Sequence, residues 1–133
     1  MWFAYFCVAV GGALGSLGRF WLSGLVAERY GSVFPWGTLV INVTGSFIIG
    51  AFQALNESEG RAMAAPAFRQ FFMIGICGGY TTFSSFSLET FKRAQQGQWL
   101  YAGGNVLLSV VLCLVAVWLG YVVGGLFNSM KGH

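Results

Sequence analysis

Two windows of this sequence run without a single charged residue for longer than a bilayer is thick, from Tyr30 to Asn56 and from Ala94 to Met130. The hydrocarbon core of a membrane is about 30 Å deep, and a helix needs about 20 mostly apolar residues to cross it. Four stretches meet that requirement: Trp2 to Val26, Trp36 to Leu55, Phe68 to Phe91 and Trp99 to Phe127. The first is uncharged until Arg19. Short polar connections separate them. Glu28, Arg29, Gly31 and Pro35 lie in the first, Asn56 to Arg61 with Pro66 in the second, and Lys92 to Gly97 in the third. Trp2, Trp36, Trp99 and Tyr101 fall near span ends, where aromatic belts form. The expected fold is an all-α membrane protein, one transmembrane domain over residues 1–133, with four spanning helices.

The start of the chain has no basic n-region and no small-residue cleavage site, so it reads as the first span and not as a signal peptide. Only 8% of the residues are charged, against roughly 25% in soluble domains. There is no Asp, and the one His is His133. Little material is left for a hydrolase, a proton relay or a metal cluster, so no enzyme is expected. Seven basic residues spread along the chain make no nucleic-acid patch and suit lipid headgroups. Cys7, Cys77 and Cys113 are far apart in apolar runs and carry no metal or redox spacing.

Four spans put both termini on one side. Leaving out Arg19, that side carries Arg61, Arg69 and Lys131, and the other carries Arg29, Lys92 and Arg93. Lys/Arg bias sets orientation, and here it is absent. The simplest inference is insertion in both directions, from which an antiparallel homodimer with a two-fold axis in the membrane plane could follow; the other reading is one orientation fixed by something other than this charge count. Glycines at helical spacings, Gly11, Gly12, Gly15 and Gly18, and the pair Gly120 and Gly124, favour close helix packing.

The third span contains what a spanning helix avoids: Gly78-Gly79 followed by Tyr80-Thr81-Thr82-Phe83-Ser84-Ser85-Phe86-Ser87. Non-helical backbone survives in a membrane only inside protein or beside a wet cavity. The glycine pair is expected to break the helix over 78–82, with Thr81 or Thr82 capping its restart. Carbonyls freed at such a break can coordinate cations such as Na⁺, and in an antiparallel dimer the break would meet its own copy; the alternative is an empty structural kink. Phe83 and Phe86, three apart, face one way. Their positive ring edges can face an anion without a fixed charge to trap it.

Other polar groups sit in the remaining spans. Arg19 is either an anion-attracting group or a snorkelling side chain. Asn42 shares a helical face with Thr38 and Ser46, as glue between helices or as an amide donor. Tyr101, Asn105, Ser109 and Cys113 recur every four residues on the fourth span, as a donor track or as packing. Glu89, near the end of the third span, is an interfacial carboxylate or a polar anchor.

Three motifs together resemble the small bacterial fluoride channels of the Fluc or CrcB type. They are Gly12-x-x-Gly15-x-x-x-Arg19, Gly37-Thr38-Leu39-x-x-Asn42-x-x-Gly45-x-Phe47-x-x-Gly50, and Gly75-x-x-Gly78-Gly79-x-Thr81-Thr82-Phe83-Ser84-Ser85-Phe86-Ser87-x-Glu89. The third is highly specific, and the resemblance covers the whole chain. It implies a dual-topology homodimer in the bacterial inner membrane with two fluoride pathways. It also implies a structural Na⁺ at the dimer centre, on the backbone carbonyls of Gly78 and Thr81. By the same resemblance Phe83 and Phe86 are the facing phenylalanines, Asn42 the pore-facing amide, Tyr101 and Ser109 part of the polar track, and Arg19 the vestibule arginine. Thr82, Ser84 and Ser85 are expected along the pathway. Cys113 stands where the family has a hydroxyl residue, a departure at the far end of the track.

The expected function is passive fluoride export, since no chain of titrating groups is visible within the spans. Two other readings are weighed. A four-span drug/proton antiporter wants an acidic residue in its cavity, which the first span lacks. A non-transporting structural protein does not account for the hydroxyl-rich break.

Overall fold

Helix is the local solution that satisfies every backbone polar group within one segment, as a lipid environment demands. The computed structural model of the chain describes residues 1–31, 33–57 and 65–131, and they are helical but for short connections. Ser58 to Arg61 of the second connection, and His133, lie outside the described residues. Helix α1 spans Trp2–Tyr30 and α2 spans Trp36–Asn56. Helix α3 covers residues 66–80, in three parts: α-helical at Pro66–Arg69, π-type at Gln70–Cys77 and α-helical again at Gly78–Tyr80. After two extended residues, α4 runs over Phe83–Gln95 and α5 over Trp99–Lys131. At 33 residues α5 is about 50 Å long, more than the hydrocarbon core requires.

Four helical spans are therefore present, and the first, third and fourth, at Trp2–Tyr30, Pro66–Gln95 and Trp99–Lys131, run beyond their expected ends. All four are long and apolar enough to cross a membrane. Pro66 begins α3 in its first turn, where its missing N–H costs nothing. Lys92 and Arg93 end α4, complementing the negative end of its dipole. Gly97, at φ 77°, then closes a Schellman-type turn: its N–H donates to the Ala94 carbonyl, and that of Gln98 to the Arg93 carbonyl.

Packing is built in two pairs. Helix α1 lies against α3, and α2 against α5. Both contacts depend on missing side chains. A Cβ on Gly15 would sit 2.2 Å from the Ile76 carbonyl oxygen, and one on Gly11 2.4 Å from that of Phe71. Across the other contact, a Cβ on Gly120 would meet the Phe47 carbonyl oxygen at 2.0 Å, and one on Gly124 that of Ala51 at 2.5 Å. Such clearances bring whole backbones together, which is how helices gain van der Waals contact in lipid. The second pair is tied at one end by polar groups as well. The Tyr121 hydroxyl and the Gln53 amide donate to the two oxygens of Glu57, and Asn128 Nδ2 donates to the Ala54 carbonyl. The bonds from Tyr121 and Gln53 hold the Glu57 carboxyl below its ordinary pKa. Helix α4 is the exception, since none of its residues is buried within the chain.

The close contacts predict a contrast within one helix. Gly120→Ala pushes α5 off α2 and costs about 1–3 kcal/mol, the usual range for overpacking. Gly125→Ala meets nothing within 4 Å and leaves stability unchanged. Unfolding of the two variants in detergent checks the difference.

Candidate functional site

The third span is interrupted at Thr81 and Thr82, whose backbones are extended (φ −85°, ψ 157° and φ −151°, ψ 114°). The glycine pair does not break the helix. Gly78 has ordinary α-helical angles (φ −65°, ψ −38°), and Gly79 is helical too. Their smallness serves packing instead, since a Cβ on Gly79 would lie 2.7 Å from the Gly12 carbonyl oxygen.

Hydrogen bonds from other helices hold the break. A continuous α-helix would join the N–H groups of residues 82–85 to the carbonyls of residues 78–81. Here Thr82 N–H donates to Asn42 Oδ1 at 2.8 Å, and the Thr82 carbonyl accepts from Asn42 Nδ2 at 3.0 Å. The Asn42 side chain thus pairs with both main-chain groups of one extended residue from one side, as a neighbouring strand would. The Gly79 carbonyl accepts from Arg19 Nε at 3.1 Å, placing a cation on the negative end of α3. Ser85 N–H donates to Thr82 Oγ1 at 3.1 Å, so Thr82 is the cap of α4. Thr81 Oγ1 turns back to the Cys77 carbonyl at 2.9 Å. The carbonyls of Gly78, Tyr80 and Thr81 are left without the donors a continuous helix would supply.

Two cavities meet at this break. One is a cleft of about 440 Å³ lined by Asn42, Gly78, Thr81, Thr82, Phe83, Phe86, Ser109 and Cys113, with apolar neighbours. No charged residue lines it. The other is a vestibule of about 740 Å³ whose walls carry Arg19, Glu28, Glu89, Lys92 and Arg93, with Ser85 and Thr38. Thr82 lines both. At about 30 Å³ per water, each has room for several molecules.

The structure gathers most of the residues singled out in the sequence. Phe83 and Phe86 have ring centroids 5.4 Å apart and tilted by 48°. Phe86 is half-buried, whereas Phe83 is 78% exposed. Ser109 is buried beside Asn105, which is only 2% exposed. Ser109 Oγ donates to Asn105 Oδ1 at 3.3 Å, and Asn105 Nδ2 donates to Thr90 Oγ1 at 2.9 Å. Thr90 in turn donates to the Phe86 carbonyl. This chain of bonds fixes α4, and with it the two rings, against α5. Asn105 and Thr90 do positioning work that the four-residue stripe only half signalled. Glu89 Oε1 accepts from Thr38 Oγ1 at 2.8 Å, tying α4 to α2 beside the vestibule. Tyr101 lines neither cavity, its ring lying 6.5 Å from that of Phe34. Ser84 lines neither one, and its hydroxyl is 3.2 Å from that of Thr82.

Comparison with known proteins covers nearly the whole chain. The family model described as CrcB-like protein, Camphor Resistance (CrcB), matches residues 6–121. A protein of Opitutus terrae named fluoride-specific ion channel FluC is 59% identical over 128 residues, 96% of this chain and 97% of that protein. One of the same name from Rhodospirillum rubrum is 60% identical over 125 residues, covering 94% of this chain and 97% of its own length. A third, from Methylocella silvestris, is 56% identical over 128 residues, 96% and 98% of the two chains.

The break itself can be tested apart from any activity. Asn42→Leu keeps the side chain's bulk and removes both bonds to the Thr82 peptide. A half-buried N–H and carbonyl left unpaired cost about 1–3 kcal/mol, which unfolding in detergent measures. An unchanged midpoint would show that the break does not depend on Asn42.

Proposed function

The chain belongs to the CrcB-like family, and from that premise we propose that it is a passive channel selective for fluoride, exporting it from the cytoplasm across the bacterial inner membrane. The observation that supports this best is the division of charge between the two cavities. Three cationic residues, Arg19, Lys92 and Arg93, outnumber the two carboxylates, Glu28 and Glu89, in the vestibule, while the cleft beyond Thr82 has no fixed charge. An anion is drawn to the mouth and is not trapped further in.

Fluoride is small and strongly hydrated, so its path must replace water with donors. Asn42 Nδ2 carries two hydrogens and gives one to the Thr82 carbonyl. Its second hydrogen serves a passing ion. The Ser109 hydroxyl rotates from Asn105 toward the cleft to do the same. The edges of Phe83 and Phe86 present the positive rim of the aromatic quadrupole. The cleft has no acidic residue that would load a proton or a cationic drug.

The working unit on this reading is an antiparallel homodimer with two pathways. Gly78, Ser84 and Ser87 are exposed within a membrane span, and α4 buries none of its residues in its own chain. Backbone and hydroxyl groups facing hydrocarbon are costly, and a second copy covers them. The even distribution of Lys and Arg allows the inverted insertion this requires. Tyr101 and Ser84 then take their places along a path shared between protomers.

A structural Na⁺ fits the chemistry of the break. The carbonyls of Gly78 and Thr81, freed from helical bonding, are hard neutral oxygens of the kind that hold Na⁺ at discontinuous helices. Two copies would supply four. The ion's contribution is positive charge that joins the two breaks. The chain's own task is to keep those carbonyls free, through Asn42 and Arg19.

Proteoliposomes loaded with fluoride or chloride should release fluoride alone, as read by an ion electrode, without any proton gradient. Retained fluoride with exchange of a cationic dye for protons would sink the channel reading. Asn42→Asp should slow fluoride efflux at least about tenfold, because hydrogen bonds to charged groups are worth roughly 1.5–3 kcal/mol. Replacing Na⁺ by a bulky organic cation should lower the melting temperature and favour the monomer. An unaltered dimer would count against the central ion.

A further inference from the structure

The cleft has a second chemical character that the passage of fluoride does not use. Three sulfur side chains line it: Met73, Cys77 and Cys113. Met73 and Cys77 are four residues apart on the π-type part of α3, and Cys113 faces the same space from α5. Cys77 is 4% exposed and Cys113 is half-buried, and neither is in a disulfide. Cys7, the third thiol of the chain, lines neither cavity. All three therefore line one cavity, although the sequence spaces Cys77 and Cys113 36 residues apart.

We propose that Met73, Cys77 and Cys113 form a binding site for a soft, thiophilic monovalent cation of the Cu⁺ or Ag⁺ type, and that its occupancy closes the cleft to anions. Thiolate and thioether ligands favour such ions, while the absence of any carboxylate or imidazole in the lining gives harder divalent ions little to hold. No Lys or Arg lines the cleft to repel a cation. Binding replaces the proton of each cysteine thiol by the metal: each S–H bond breaks, an S–Ag bond forms, and two protons pass to the buffer for each silver bound. No oxidant or reductant is involved. The site shares its cavity with Asn42, Phe83, Phe86 and Ser109, so a bound metal stands in the space an anion would cross. The closing effect rests on the proposed channel function, whereas the binding does not.

Silver(I), added as nitrate in chloride-free buffer, separates the two. Binding is measured on purified protein by bound silver per chain and by the ultraviolet thiolate-to-metal band. Fluoride efflux from liposomes is measured against each variant's own uninhibited rate. The wild type should bind one silver per chain in the cleft and lose at least tenfold of its efflux. Cys113→Ser and Cys77→Ser should each weaken silver inhibition at least tenfold, and the double variant should lose the band. Cys7→Ser should keep both responses. Full silver sensitivity in Cys113→Ser, or an undiminished band in the double variant, overturns the site. Silver binding that the double variant abolishes, in protein that passes no fluoride, supports the site and refutes the channel function instead. Silver binding with undisturbed efflux overturns the closing effect.

Discussion

A side-chain amide on α2 takes the place of a backbone peptide of α3, and the rest of the site depends on that exchange. Asn42 binds both the N–H and the carbonyl of Thr82. A peptide group left bare in the middle of a membrane protein would cost more than any local preference could offset. With Asn42 present, two extended residues are tolerated and the helix restarts in a new direction. Arg19 completes the arrangement by meeting the Gly79 carbonyl at the end of the first half.

The glycines supply the second condition. Three helices must approach the break closely enough for short side chains to reach it. Gly11, Gly15 and Gly79 bring α1 and α3 to backbone contact. Gly45, where a Cβ would collide with the Thr81 methyl at 2.3 Å, lets α2 pass beside the break. The Thr44 hydroxyl then reaches the Tyr80 hydroxyl at 2.8 Å. Arg19 and Asn42 are thus held by packing that begins in residues with no side chains, and a bulkier residue at these positions would act on the site from a distance.

Charge is arranged in series with this geometry. The vestibule is lined by Arg19, Glu28, Glu89, Lys92 and Arg93, and the cleft by no lysine, arginine or carboxylate. Thr82 stands between them and is also the cap of α4. One residue therefore fixes the direction of α4, separates the two cavities and closes the pairing with Asn42. The same uncharged lining makes the cleft hospitable to soft sulfur chemistry, which a lysine or carboxylate there would have altered.

Much of this was legible in the sequence. The uncharged windows dictated four membrane helices, because hydrocarbon accepts little else. The hydroxyl run marked the interruption, and the spacing of Phe83 and Phe86 put both rings on one side. The break, expected over 78–82, lies at the far end of that range: Thr81 and Thr82 are extended, whereas Gly78 and Gly79 are helical. A glycine pair has weak preferences of its own, so its conformation was decided by α1 packing onto it. The role of Asn42 was open between glue and donor, and only its two bonds to Thr82 show that it holds the backbone. Asn105 and Thr90, the vestibule shared by α1, α2 and α4, and the convergence of Met73, Cys77 and Cys113 were likewise beyond sequence reading. Each joins residues distant in the chain, and hydrophobic periodicity records which face of a helix is covered but not what covers it. The sequence by itself determined how many times the chain crosses a membrane and which segment is anomalous, through the cost of placing charge and bare backbone in lipid. Only the tertiary structure decided where that segment opens, because the opening is held by hydrogen bonds from other helices.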